Sequence, residues 1–200
     1  MISRLKPTVG KVLSETPARL LTKAHLTPNS LTFIGLLFNV FTAWVLAIGE
    51  LFIGGFLVLF SGWFDMLDGA MARMTGKATR FGAFFDSSID RLSEAALFLG
   101  LLIFYADGDH DIEVVLIYVA IIASIMVSYT RARAEGLGLK GEVGLLARPE
   151  RVVILTLGLF LSEVSWALTV ALWILSVGAS LTALRRIIYV WQQSKKEDNP

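Results

Sequence analysis

Apolar runs of about 15–20 residues recur from position 31 almost to the C-terminus, and no other feature limits the fold of this chain so tightly. Such runs cross hydrocarbon as helices, because a helix satisfies its own backbone hydrogen bonds where water is absent. Six spans are expected, at roughly 31–48, 52–74, 81–104, 113–134, 149–165 and 166–190. Short turns around Gly49-Glu50 and Ser162-Glu163 make helical hairpins of spans one and two and of spans five and six. Composition agrees, with 55% hydrophobic and only 18% charged residues. The fold class is therefore an all-α integral membrane protein with six transmembrane helices, and residues 1–200 are read as one membrane domain. The absence of cysteine excludes disulfides and thiolate metal sites. The first 30 residues are too polar for a secretory signal peptide.

Charge sets the orientation. Lys and Arg gather in the N-terminal segment, after span two (Arg73, Lys77, Arg80), around the loop between spans four and five, and at the C-terminus. The opposite loops carry Glu50, Asp107, Asp109, Asp111, Glu113 and Glu163, with no Lys or Arg. The positive-inside rule places both termini in the cytoplasm, in a multi-pass protein of the cell membrane. Residues 2–23 interleave apolar and basic side chains, so 1–25 is expected to be a juxtamembrane segment with an N-terminal interfacial helix on the anionic cytoplasmic leaflet.

Into this apolar chain the stretch "FDMLDGAMARMTGKATRFGAFFDSSIDR", residues 64–91, inserts four aspartates. A carboxylate at the bilayer centre costs roughly 2.5–3.5 kcal/mol on insertion scales, and four together repel one another. On a helix at about 100° per residue, Asp65, Asp68, Gly69, Ala72 and Arg73 form one stripe. On the next helix Gly82, Asp86 and Asp90 fall within about 80° of one another. The intervening "MTGKATR" is short enough to make the two helices antiparallel neighbours, their acidic stripes facing one cleft. Phe52 to Phe64 spans about 20 Å of apolar helix, so Asp65 and Asp68 should sit just inside the cytoplasmic half.

All four donors are hard oxygens, without His or Cys, which suits Mg²⁺ or Mn²⁺ and not zinc. Four negative charges balance two divalent ions, and the remaining coordination positions suit waters and phosphate oxygens. Gly69 and Ala72 would let a phosphate approach the helix, and Arg73 would pair with it. The bland alternative pairs the acids with Arg73, Arg80 and Arg91 inside a bundle; it explains one acid better than four on two stripes with glycines alongside.

The spacing Asp65-x2-Asp68-Gly69-x2-Ala72-Arg73-x8-Gly82-x3-Asp86-x3-Asp90 resembles the signature of the CDP-alcohol phosphotransferases at every fixed position. "LTPNSLT" at 26–32 is similar to the segment that opens the family's first span. The resemblance implies an integral-membrane enzyme that displaces CMP from a CDP-linked lipid or alcohol with an incoming hydroxyl. It implies that Asp65, Asp68 and Asp86 hold the metals, and that Asp90 completes the second metal site and serves as general base. It places Asn29, Gly69, Arg73 and Thr79 around the cytidine and its pyrophosphate. A homodimer is expected on the same ground.

A second stretch, "SYTRARAEGLGLKGEVGLLARPERVVIL" at 128–155, addresses the acceptor. Ser128, Arg131 and Glu135 share a helix face. Arg148 and Arg151 begin span five, with Pro149 suited to a first helical turn, and a helix N-terminus bearing two arginines favours an anion. Positive-inside topology alone would also call for basic residues here. These segments resemble the phosphatidylinositol-phosphate synthase branch, which implies inositol phosphate as acceptor. Ser128, Arg131, Arg133, Arg148, Arg151 and Arg186 match positions lining that branch's acceptor pocket.

The reading is an enzyme that moves a phosphatidyl group from CDP-diacylglycerol to inositol phosphate, with two Mg²⁺ (or Mn²⁺) ions and its site facing the cytoplasm. The lipid bilayer is its medium, and nucleic acid is not among its partners. Two alternatives within the class are phosphatidylglycerophosphate synthesis from glycerol 3-phosphate and an archaeol-lipid equivalent. An ion transporter using intramembrane carboxylates is the alternative outside it; that calls for acids spread through the bilayer depth and repeated halves, and neither is present.

Overall fold

Thr27 opens the first helix, its Oγ1 accepting from the Ser30 amide at 3.1 Å while Pro28 occupies the first turn. The computed structural model describes residues 27–75, 79–141 and 143–198, with the side chains of Asp68, Ala72, Arg73, Thr75 and 196–198 outside that description. The expected interfacial helix at 1–25 lies outside the described residues. Helix α1 (Pro28–Ala47) turns through Gly49, whose φ of +88° favours glycine, into α2 (Leu51–Thr75). Thr79 caps α3 (Arg80–Tyr105), its Oγ1 accepting from the Gly82 amide at 2.9 Å. Then follow α4 (Asp111–Gly136), α5 (Arg148–Phe160) and α6 (Ala167–Asp198), and there is no strand among the described residues.

These helices close into a ring. Helix α1 packs on α3, α3 on α4, α4 on α6, α6 on α5, α5 on α2, and α2 back on α1. The two acid-bearing helices are thus not the direct antiparallel neighbours expected from their short connection. Helix α1 sits beside both, and α2 and α3 face each other across the ring interior.

One end of that interior is filled. Leu46, Val58, Leu101, Ile117, Leu159 and Leu172, one from each helix, belong to a single buried apolar cluster. It lies toward the loops at 48–50, 106–110 and 161–166, and leaves the other end for the polar residues. Helices α1 and α3 approach closely at Gly100, where an added Cβ would land on the Ala43 backbone, 2.8 Å from its Cα. Small residues permit such approach where lipid offers no hydrophobic drive between helices. Gly100→Ala is therefore expected to destabilise the protein by about 1–3 kcal/mol, read as a lower thermal midpoint in detergent. Buried Asn39 ties α1 to α2: its Nδ2 donates to the Gly35 carbonyl at 3.0 Å, and Ser61 Oγ donates to its Oδ1 at 2.8 Å.

Outward, the ring presents Trp44, Phe56, Tyr118, Trp166 and Trp191 among many exposed large apolar side chains, a surface suited to lipid. Among the described residues, four helical segments are long and apolar enough to cross a membrane: Pro28–Ala47, Leu51–Met71, Asp111–Gly136 and Ala167–Lys195. Helix α3 carries Arg80, Asp86, Asp90, Arg91 and Glu94 in its first half, and only its second half is apolar. Helix α5 stops at Phe160, earlier than the expected span; its 13 residues reach only about 20 Å.

Candidate active site

The unfilled end of the ring holds the acids. Asp65 on α2 and Asp86 and Asp90 on α3 are partly buried, and Gly35 on α1 faces Asp65, an added Cβ there meeting Oδ1 at 3.6 Å. Asp86 lies within electrostatic reach of both Asp65 and Arg148. The side chains of Asp68 and Arg73 lie outside the described residues, though their backbone continues α2 in the register that puts Asp68 one turn beyond Asp65.

Arg148, the first residue of α5, joins the two acidic helices. Its Nη2 meets Asp65 Oδ2 at 2.6 Å and its Nη1 meets Asp90 Oδ1 at 2.9 Å. One turn on, Arg151 is only 2% exposed and makes a two-pronged pair with Glu94: Nε to Oε1 and Nη2 to Oε2, both at 2.6 Å. Its Nη1 also donates to the Leu146 carbonyl at 3.2 Å. Such parallel charge-assisted bonds are the strong, direction-setting kind.

The residues leading to these arginines, 137–141 and 143–147, are strapped to α6. Lys140 exchanges two hydrogen bonds with Gln193, Leu146 N donates to Thr182 Oγ1 at 3.3 Å, and Arg186 Nε donates to the Val143 carbonyl at 2.7 Å. Arg186 Nη1 also donates to the Val127 carbonyl on α4, so this buried side chain binds α4, α6 and the loop together. At Gly144, φ is +127° and a Cβ would strike Thr182, so the strap needs glycine there.

Beside Asp90 opens a cavity of about 420 Å³. The acceptor residues expected from sequence meet there: Ser128, Arg131, Arg148, Arg151 and Arg186 all line it. Arg131 pairs with Glu135 at 2.8 Å along the same wall. Arg133 does not join them and is exposed; two residues turn a helix by about 200°, which carries it away from the face of Arg131. A separate group gathers where α1 and α3 begin. Thr79 Oγ1 and Asn29 Oδ1 lie 3.0 and 3.3 Å from the point where Gly82 would carry a Cβ. Gly69 is on α2, one turn after Asp65.

Residues 25–184 match the CDP-alcohol phosphatidyltransferase family. The chain belongs to that family. The resemblance read from the aspartate spacing is borne out. Among relatives, the phosphatidylinositol phosphate synthase of Mycobacterium marinum is 44% identical over 181 residues, 87% of this chain and 77% of that protein. The synthase of the same name from Mycobacterium tuberculosis H37Rv is 41% identical, over 87% of this chain and 83% of its own length. The fold matches the crystal structure of Mycobacterium tuberculosis phosphatidylinositol phosphate synthase with CDP-DAG bound, at a TM-score of 0.84 and 39% identity, covering 89% of this chain and 93% of that one. It matches that synthase in complex with manganese and citrate equally, at a TM-score of 0.84 and 39% identity over 89% and 88% of the two chains.

For a CDP-alcohol phosphatidyltransferase, divalent-ion chemistry fits the donor set here, which is all carboxylate, partly buried and convergent from two helices. No three His, Cys, Asp or Glu side chains are grouped tightly enough for one ion among the described residues. Arg148 holds Asp65 and Asp90, a guanidinium lying between carboxylates that suit a cation, and the side chain of Asp68 lies outside the described residues.

Glu94, Arg91 and Ser87 also line the cavity and were not among the site residues expected from sequence. The signal was there. Asp86, Asp90 and Glu94 recur every four residues, so the acidic stripe runs one turn beyond the signature.

Proposed function

We propose that this chain transfers the phosphatidyl group of CDP-diacylglycerol to a hydroxyl of inositol phosphate, releasing CMP. One observation carries the reading: the cavity beside Asp90 is lined by five arginines against three acids, Asp90, Glu94 and Glu135. That surplus of two positive charges suits a phosphate monoester, which carries about −1.5 to −2 near neutral pH. Free inositol or glycerol would make no use of it. The synthase activity named for the mycobacterial relatives points the same way.

In this reading Asp65, Asp68, Asp86 and Asp90 hold two divalent ions, Mg²⁺ or Mn²⁺. Bound there, the ions would neutralise phosphate oxygens and acidify a nearby hydroxyl. Arg131, Arg148, Arg151 and Ser128 orient the acceptor phosphate and so aim the inositol hydroxyl at Asp90. Asp90 takes the hydroxyl proton as the oxygen attacks the lipid-side (β) phosphorus. The bond from that phosphorus to the bridging oxygen breaks, and CMP leaves with that oxygen. Asn29, Gly69, Arg73 and Thr79 surround the cytidine and pyrophosphate; Thr79 does so while capping α3. Arg186 holds the cavity wall from behind.

The same reading has six spans, with α3 and α5 completing the ring in the bilayer. Both termini and the site face the cytoplasm, supported by the charge asymmetry of the loops, and family membership supports a homodimer. Glycerol 3-phosphate also carries a phosphate, so an assay must separate the acceptors. CMP release from CDP-diacylglycerol by purified protein with Mg²⁺ is expected with inositol phosphate and not with inositol or glycerol 3-phosphate. Turnover with glycerol 3-phosphate alone would keep the transfer chemistry and replace the acceptor.

A further inference from the structure

Arg148 faces two ways. It closes on Asp65 at 2.6 Å and on Asp90 at 2.9 Å, pairing with one acid on each side of the ring interior. The same side chain lines the acceptor cavity. Its Nε is buried with no hydrogen-bond partner, so its donors are not all used in this arrangement. Two other arginines of the cavity are held by partners elsewhere: Arg151 by Glu94 and the Leu146 carbonyl, Arg186 by the carbonyls of Val127 and Val143. Arg148 is also more open than either, at 28% against 2% for Arg151 and 5% for Arg186.

We propose that Arg148 is an exchangeable counter-cation: it pairs with Asp65 and Asp90 until a divalent ion binds them, and then swings into the cavity to meet the acceptor phosphate. The inference rests on the reading that these aspartates hold the ion. A divalent cation and a guanidinium repel at this range, and a partly buried site screens them little. Released, Arg148 would stand in a cavity already rich in arginine, a position that an anion stabilises. Ion and acceptor phosphate therefore favour the same state of one side chain. Each should raise the affinity for the other by the same factor, as linkage requires.

The test reads binding, not turnover. Free Mn²⁺ would be followed by electron paramagnetic resonance in nanodiscs, with and without inositol phosphate, corrected for ion binding by the phosphate in protein-free buffer. In the wild type, inositol phosphate is expected to tighten Mn²⁺ roughly tenfold, within the usual span of couplings. Arg148→Gln is expected to bind Mn²⁺ roughly tenfold more tightly than wild type without acceptor, and to lose most of the coupling. Arg148→Lys, which keeps the charge and fold, should fall between. Arg131→Gln, which removes a cavity charge paired with Glu135, should change Mn²⁺ affinity without acceptor far less. Unchanged or weaker Mn²⁺ binding in Arg148→Gln, coupling that persists in it, or an equal gain in Arg131→Gln would overturn the exchange. Asp65→Asn separates the two levels of the argument. If it abolishes Mn²⁺ binding while Arg148→Gln behaves as wild type, the ion site stands and the exchange fails. If it binds Mn²⁺ as wild type does, the ion reading itself fails, and the exchange with it.

Discussion

Asp90→Asn is expected to slow CMP release by about 10²–10⁴-fold, the range that a positioned general base contributes. Asparagine keeps the size of the side chain and one oxygen, so the partly buried pocket stays filled, but it cannot take the proton of the attacking hydroxyl. It also weakens the hold on Arg148, whose Nη1 lies 2.9 Å from Asp90 Oδ1. The base role therefore needs a readout of its own. The wild-type pH–rate profile should fall on its acid side as the base protonates, and that limb should vanish in the variant. Near-normal turnover in Asp90→Asn would remove the base assignment. A slow variant that keeps the acid limb would leave Asp90 as a ligand only.

The second large effect concerns the pair that holds the α5 end of the site. Glu94→Leu is expected to destabilise the protein by about 3–5 kcal/mol, because it leaves the guanidinium of Arg151 buried without its partner. Arg151 is 2% exposed, so water cannot replace the two bonds at 2.6 Å. Arg151→Leu should be similarly harmful, with Glu94 left charged and largely buried. The double variant should recover much of the loss, since apolar residues of similar volume often replace a buried pair with little penalty. Additive losses in unfolding midpoints would show that the two residues act separately. The double variant also divides structure from function: it restores packing yet lacks the Arg151 charge. If Arg151 serves the acceptor, its KM for inositol phosphate should stay high while that for CDP-diacylglycerol is unchanged. A normal acceptor KM would confine Arg151 to holding the fold.

How much of this was legible beforehand follows from the range of each interaction. The helices were legible because hydropathy is a local property, summed over about 20 consecutive residues. Boundaries were less so. Helix α5 ends at Phe160 and not near 165, because the residues after it are apolar enough to continue a span but form a turn. The aspartate stripe was legible because helical periodicity places Asp86 and Asp90 on one face without knowledge of any neighbour. Glu94 obeyed the same periodicity and was missed because the family signature ends at Asp90. Arg133 failed the other way: it belongs to a basic stretch that resembles the acceptor motif, but its own position on α4 turns it from the cavity.

By itself, the sequence determined the apolar helices, the acids on α2 and α3, the basic segment at 128–151 and the family these spell out. Each of those depends on residues within a few turns of one another. Only the tertiary structure decided who meets whom. It put α1 beside both acidic helices, closed the ring 1-3-4-6-5-2, and carried Arg148 across 83 residues of chain to Asp65 and Arg151 across 57 to Glu94. An ion pair between distant residues has no local signature: many arginines could have filled either role, and the packing of six helices selected these two.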